Sequence, residues 1–254
     1  MNAADRLAGF VLVRLKPHAA DWLRDRLAAV AANGAELGLA FAAAGRRAGR
    51  DPLLEPPLTR AVRLSGDDGP ILNSWRLDEA ARVLLLLAEA AREPAAAPAR
   101  AVELYREGSG QERIAVVRAL QVLPEALADL EVVRDALRAN AADLFAAAIC
   151  ENLYTSTHLP DELFFQAVLK AVFVGLPLGR IERLEERATP ELARMLFAYV
   201  TEREAAGRTV PADVWPLIAL FPPPGVADRI SARLEATNDI DRPLLDVALE
   251  RARR

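Results

Sequence analysis

The chain has 254 residues, 32 of them basic and 36 acidic, for a formal charge of −4; 52% are hydrophobic and 6% aromatic. That length suits one large or two small domains and is enough to bury a substantial core. The composition excludes disordered, collagen-like and disulfide-stapled architectures, and the interspersed, slightly acidic charge argues against a nucleic-acid surface, which would gather basic residues on one face.

Alanine and leucine supply about a third of the residues. Both lose little side-chain freedom on a helix, and helical spacing recurs almost throughout. A first helix is expected over Ala3–Leu15, ending before Pro17. A second, His18–Ala32, places Trp22, Leu23, Leu27 and Val30 on one face, with Asn33-Gly34 as its stop. A third covers Ala35–Ala44. Then Gly, Pro and Asp cluster through Gly45–Leu58 and Ser65–Ser74, including Glu55-Pro56-Pro57 and Asp67-Asp68-Gly69-Pro70. This irregular stretch marks an internal boundary, separating N-terminal helices over 1–64 from a main helical domain over 65–254, unless the whole is one continuous domain.

From Asp78 a helix carries Ala81, Val83, Leu84, Leu85, Leu86, Leu87 and Ala90, apolar around nearly its whole circumference and therefore central. Pro98 opens the next, followed by Gln111–Leu123, Glu125–Ala139 and Ala141–Cys150. After an irregular stretch at Glu151–Leu159, helix starts become explicit. Pro160-Asp161-Glu162 opens a helix to Val174 closed by Gly175, and Thr189-Pro190 sets a capping hydroxyl before a proline that needs no N–H donor. Val210-Pro211-Ala212-Asp213 opens another, ended by Pro222-Pro223-Pro224-Gly225. Val226–Ala236 and Ile240–Arg253 close the chain, joined through Thr237-Asn238-Asp239. Alternating strand patterns with hairpin turns are missing. The expectation is an all-α fold of about twelve to fifteen helices, grouped from residue 98 onward as an irregular stack of antiparallel hairpins of the α-solenoid or HEAT-like kind.

Few residues offer chemistry. The longest apolar runs fall far short of the roughly 20 residues of a membrane span. Charges at Asp5, Arg6 and Arg14 spoil a secretory signal, and one cysteine, Cys150, makes no internal disulfide, so a cytoplasmic protein is expected. A Cys150–His158 nucleophile pair is weighed against a plainly buried small cysteine, and the latter preferred. No metal-ligand spacing and no phosphate-binding glycine loop is present; catalytic residues, metals and cofactors are not expected. The segment from Cys150 to Pro160 concentrates amide, hydroxyl, phenol, carboxylate and imidazole groups, which either bind a ligand or satisfy two helix ends. In the following helix Glu162, Gln166 and Lys170 stand four residues apart and form one narrow polar stripe. Only Lys16 and Lys170 break the arginine monopoly, and a lysine ammonium is not equivalent to a guanidinium fork. The next long helix adds Arg194, Tyr199 and Arg203. Tyr154, His158, Gln166, Lys170, Arg194, Tyr199 and Arg203 are the ligand- or partner-binding candidates.

The block from Cys150 to Trp215 resembles the C-terminal half of EboA-like proteins. The resemblance rests on Gln166, Val168–Ala171, Phe173, Gly175, Pro177, Leu178, Arg180, Ile181, Leu184, Arg187, Ala188, Pro190–Leu196, Tyr199, Glu202, Arg203, Ala206–Arg208, Val210, Pro211 and Trp215. The chain departs from the pattern at Phe165, where an Asn often precedes the Gln, and at Leu153–Thr157, where an Asn-Pro-aromatic element often lies. The resemblance implies a bacterial protein encoded beside a TatD-like hydrolase, a UbiA-like prenyltransferase and a TIM-barrel isomerase-like protein, in a cluster that makes or exports a small molecule. Missing catalytic constellations and a helical architecture then suggest a non-catalytic adaptor or carrier serving that pathway, with those three proteins as partners and no nucleic acid. The competing reading is a small-ligand-binding protein or enzyme with a pocket around Gln166 and Lys170.

Overall fold

The computed structural model describes residues 2–66, 69–124, 130–236 and 240–254. Among them the chain forms fourteen α-helices and no β-strand, with two isolated bridges, Pro52 to Arg76 and Arg63 to Ile71. The all-α class expected from composition and spacing is the class observed. The contacts divide into two compact units, Met1–His158 and Leu159–Arg254; the N-terminal segment 1–64 lies within the first.

The first unit contains α1 (Ala3–Arg14), α2 (Pro17–Ala32), α3 (Leu37–Arg47), α4 (Leu77–Arg92), α5 (Ala97–Glu107), α6 (Gly110–Ala119), α7 (Leu130–Arg138), α8 (Ala142–Ile149) and α9 (Leu153–His158). The expected start of the α7 helix, 125–129, lies outside the described residues, as do Asp67 and Asp68 of the turn cluster. Local chemistry sets the ends. Asn2 Oδ1 accepts from the Asp5 amide at 2.8 Å, and the Ser109 amide donates to Glu112 Oε2 at 2.7 Å, each satisfying an amide that no helical carbonyl can reach. Between α3 and α4 the Gly/Pro/Asp-rich segment folds back on itself. Leu72 N donates to Val62 O and Leu53 N to Trp75 O, both at 2.8 Å, and the segment buries Leu53, Leu64, Leu72 and Trp75.

Helix α4 is the hub, packed on by α1, α2, α3, α5 and α6. Its central position is as expected; its surface is not. Alongside the leucines it buries Asp78, Glu79, Arg82 and Glu89. These charges persist in the interior because they neutralise one another, since a buried ion without a partner is strongly disfavoured. Arg82 Nη1 lies 2.7 Å from Asp78 Oδ2 and its Nε donates to Phe41 O at 3.0 Å. Arg118 of α6 pairs with Glu79 at 2.9 Å, donates to Ser74 O at 2.8 Å and covers the Trp75 ring. Near the other end Glu89 holds Arg92 at 2.7 Å. Gly34 comes so close to this pair that a Cβ there would meet Arg92 Nη2 at 2.3 Å, so the turn that follows α2 carries a residue without a side chain where it meets α4.

The second unit contains α10 (Asp161–Val174), α11 (Pro190–Ala205), α12 (Val214–Ile218), α13 (Val226–Glu235) and α14 (Arg242–Ala252). Helix α10 closes in the left-handed residue Gly175, φ +77°, with Leu176 N donating to Ala171 O at 2.9 Å. Thr189 Oγ1 caps α11 by accepting from Leu192 N at 3.2 Å. The helix expected after Pro211 is only five residues long, ending well before the three-proline run; its Val214, Trp215, Leu217 and Ile218 are core. α12 and α13 both pack on α14, and α11 packs on α12. The Thr237-Asn238-Asp239 junction lies outside the described residues.

Candidate functional site

The link between α10 and α11 carries the most distinctive geometry of the second unit. Past Gly175 and Pro177, prolyl and glycyl residues prevent a continued helix, and the chain makes one 3₁₀ turn, Leu178–Arg180. The turns that follow include Arg183 at φ +53°. A non-glycine residue in that conformation costs on the order of 1–3 kcal/mol and persists only where its surroundings hold it. Here the surroundings do so. Leu178 N donates to Asp213 Oδ2 at 2.8 Å, and Arg251 Nη1 reaches both Glu185 at 2.9 Å and Pro216 O at 3.1 Å. Arg187 Nη2 donates to Leu159 O at 2.8 Å, pairs with Asp161 and lies 4.1 Å from the Phe164 ring centroid.

This strapping leaves a half-open hollow of about 450 Å³ between the link, α12 and α14. Leu178, Ile181, Leu184, Pro216, Leu217 and Leu244 make it mainly apolar, and Arg183, Glu185, Glu186 and Asp213 edge it with charge. Gly179 also lines it, and a Cβ built there would meet no atom within 4 Å. An apolar wall with a few polar groups at its edge suits a small molecule with an apolar body, oriented by hydrogen bonds at one end.

The residues singled out from sequence fall elsewhere. Tyr154 and His158 lie on α9 of the first unit, their rings stacked at 4.5 Å, with His158 Nδ1 3.0 Å from Tyr154 O. The stretch expected to be irregular is thus largely helical, because Asn152 organises it. Its Nδ2 donates to Ala147 O at 2.9 Å and its Oδ1 accepts from Thr155 N at 3.0 Å, closing α8 and opening α9. The preceding Glu151 is left-handed at φ +53°, and its carboxylate accepts from Ser74 Oγ. Cys150 is buried. On α10, Glu162 and Gln166 are exposed and Lys170 is half-buried; burial lowers the Lys170 ammonium from its ordinary value. Arg194 is exposed, 3.8 Å from Glu191. Arg203 donates to Thr209 O at 2.8 Å and to the Tyr199 hydroxyl at 3.1 Å. So Tyr154 meets His158, Tyr199 meets Arg203, and Gln166 shares a helix face with Lys170, while none of the seven lines the hollow.

Sequence reasoning passed over Arg183, Glu185, Glu186, Leu217 and Leu244, because a charged run such as Glu182–Glu186 reads as an ordinary solvated segment. The usable signal was the Gly/Pro break at Gly175–Gly179 followed by Leu178, Ile181 and Leu184 at helix-like spacing, three positions that belong to the EboA-like pattern. Among the described residues no three His, Cys, Asp or Glu side chains group to hold a metal ion, and no helix is long and apolar enough to cross a membrane.

Compared with known proteins, residues 3–219 match the family model described as metabolite traffic protein EboA. No curated protein and no solved structure matches the chain.

Proposed function

This chain belongs to the EboA family, and on that premise we propose that it is a non-catalytic carrier or adaptor for a small molecule in a bacterial biosynthesis or export pathway. The observation that carries this reading is the hollow at the α10–α11 link: it is mainly apolar, and three of its apolar residues, Leu178, Ile181 and Leu184, are positions of the EboA-like motif. A carrier needs a surface that holds a molecule without altering it. The partners that fit this role are the TatD-like hydrolase, the UbiA-like prenyltransferase and the TIM-barrel isomerase-like protein. The Gly179→Phe variant tests it, because Gly179 lines the hollow and a Cβ there meets no atom within 4 Å, so a large side chain can be added at its wall. In equilibrium dialysis of the full chain against an organic extract of producing cells, the wild type is expected to retain a small molecule and Gly179→Phe to retain at least tenfold less. Equal retention, or none by either protein together with no co-purification of the three partners, overturns the reading.

A second reading, a small-ligand-binding protein or enzyme centred on Gln166 and Lys170, is favoured by the partial burial that lowers the Lys170 ammonium. It requires Lys170→Gln, and not Gly179→Phe, to abolish retention.

A further inference from the structure

A second hollow, of about 330 Å³, lies in the first unit between α5, α6 and α7, and its chemistry differs from that of the link hollow. Three guanidiniums line it, those of Arg106, Arg113 and Arg138. The carboxylates beside them are engaged: Asp135 accepts from the Tyr105 hydroxyl at 2.7 Å, and Glu131 pairs with Arg134 at 2.7 Å. Arg113 is fixed in place, donating to Gly108 O at 3.1 Å and to Arg106 O at 3.2 Å and standing 5.5 Å from the Tyr105 ring centroid. Arg106 and Arg138 make no ion pair among the described residues. Arg138 acts electrostatically on the Tyr105 phenol, so its charge bears on the hollow's wall.

We propose that this hollow binds a small organic dianion through Arg106 and Arg138, with Arg113 supplying a fixed third positive charge. The guanidinium fork matches the planar or tetrahedral oxygens of carboxylate and phosphate. A volume of about 330 Å³ falls within the small-molecule range and is too small for a macromolecular segment of any length. The Tyr105 hydroxyl engages one oxygen of Asp135 at 2.7 Å and leaves its charge in place; the excess of positive charge comes from three arginines against the two carboxylates Glu131 and Asp135 in the lining. Asp135 faces the phenol and leaves the arginines to the anion.

Isothermal titration of the full chain at about 0.15 M ionic strength, with methyl phosphate and succinate as separate probes, tests this. At least one probe is expected to bind, and which one does separates a phosphate ligand from a dicarboxylate. Arg106→Gln and Arg138→Gln should each weaken that probe on the order of tenfold, as loss of a charge-assisted hydrogen bond does. Arg100→Gln, whose charge is paired with Glu103 and which does not line the hollow, should not. Tyr105→Phe should weaken binding and Tyr105→Phe/Asp135→Asn should restore it, a rescue that mere loss of packing does not produce. Gly179→Phe should leave it unchanged, so the two hollows stand or fall separately. Absence of binding by both probes overturns the proposal, as does an equal loss in Arg100→Gln.

Discussion

Tyr105 sits in an environment unlike that of a free tyrosine. Burial first, and the hydrogen bond to Asp135 second, hold its phenol well above the ordinary tyrosine range, against the opposing pull of Arg113 and Arg138. A tyrosine that keeps its proton in the folded state contributes stability that is fully present below about pH 10, where the unfolded phenol is also neutral. That contribution is lost as rising pH ionises the unfolded form alone. Urea midpoints measured from pH 8 to 11 should therefore fall more steeply for the wild type than for Tyr105→Phe, and parallel curves would show that the phenol is not held in this way. The sequence does not single out Tyr105, because its partner Asp135 is thirty positions away on another helix. The same limit applies to Lys170. Its rarity was legible in the residue counts, whereas its partial burial depends on what packs against α10.

Helices were legible because their signals are local: Thr189-Pro190, the Gly175 stop and the Asn33-Gly34 end were all read from a few adjacent residues. The interior charges of α4 were not, because Asp78, Glu79 and Arg82 look in sequence like a solvated helix face, and their burial follows from Phe41 and Arg118, each about forty residues away. The consequence is measurable. Arg82→Met leaves the fully buried Asp78 carboxylate only its longer contact to Arg76 at 3.4 Å and should cost about 3–5 kcal/mol in chemical denaturation, while Asp78→Leu/Arg82→Met should recover most of that loss. If the single and double variants are equally destabilised, the pair is not what holds the charges in the interior. The polar stretch at Glu151–His158 shows the same limit. Its residue types left ligand binding and helix-end satisfaction both open; Asn152 fills the second role, and Glu151 meets Ser74, which local spacing does not connect to it.

At the scale of the molecule, the all-α class was settled by composition and period, because an Ala/Leu-rich chain without alternating runs has no strand to offer. The division into Met1–His158 and Leu159–Arg254 was not legible, since each unit's core is assembled from positions far apart in sequence. Leu196 is fully buried in the second unit, so Leu196→Ala should remove roughly 3–5 kcal/mol of packing. By hydrogen exchange the loss should accelerate the slowest amides of 159–254 far more than those of 1–158, and equal acceleration of both sets would contradict two separate cores. The link hollow was legible only through its Gly/Pro break and its EboA-like positions, because a concave surface is a property of how α12 and α14 meet that link. The measurement that bears most directly on a carrier is the mass of the molecule held by the full chain, followed by native mass spectrometry over hours of incubation. The account predicts a non-covalent adduct of constant mass in the wild type and at least tenfold lower occupancy in Gly179→Phe; an adduct whose mass changes with time, or one that Gly179→Phe retains in full, would contradict it.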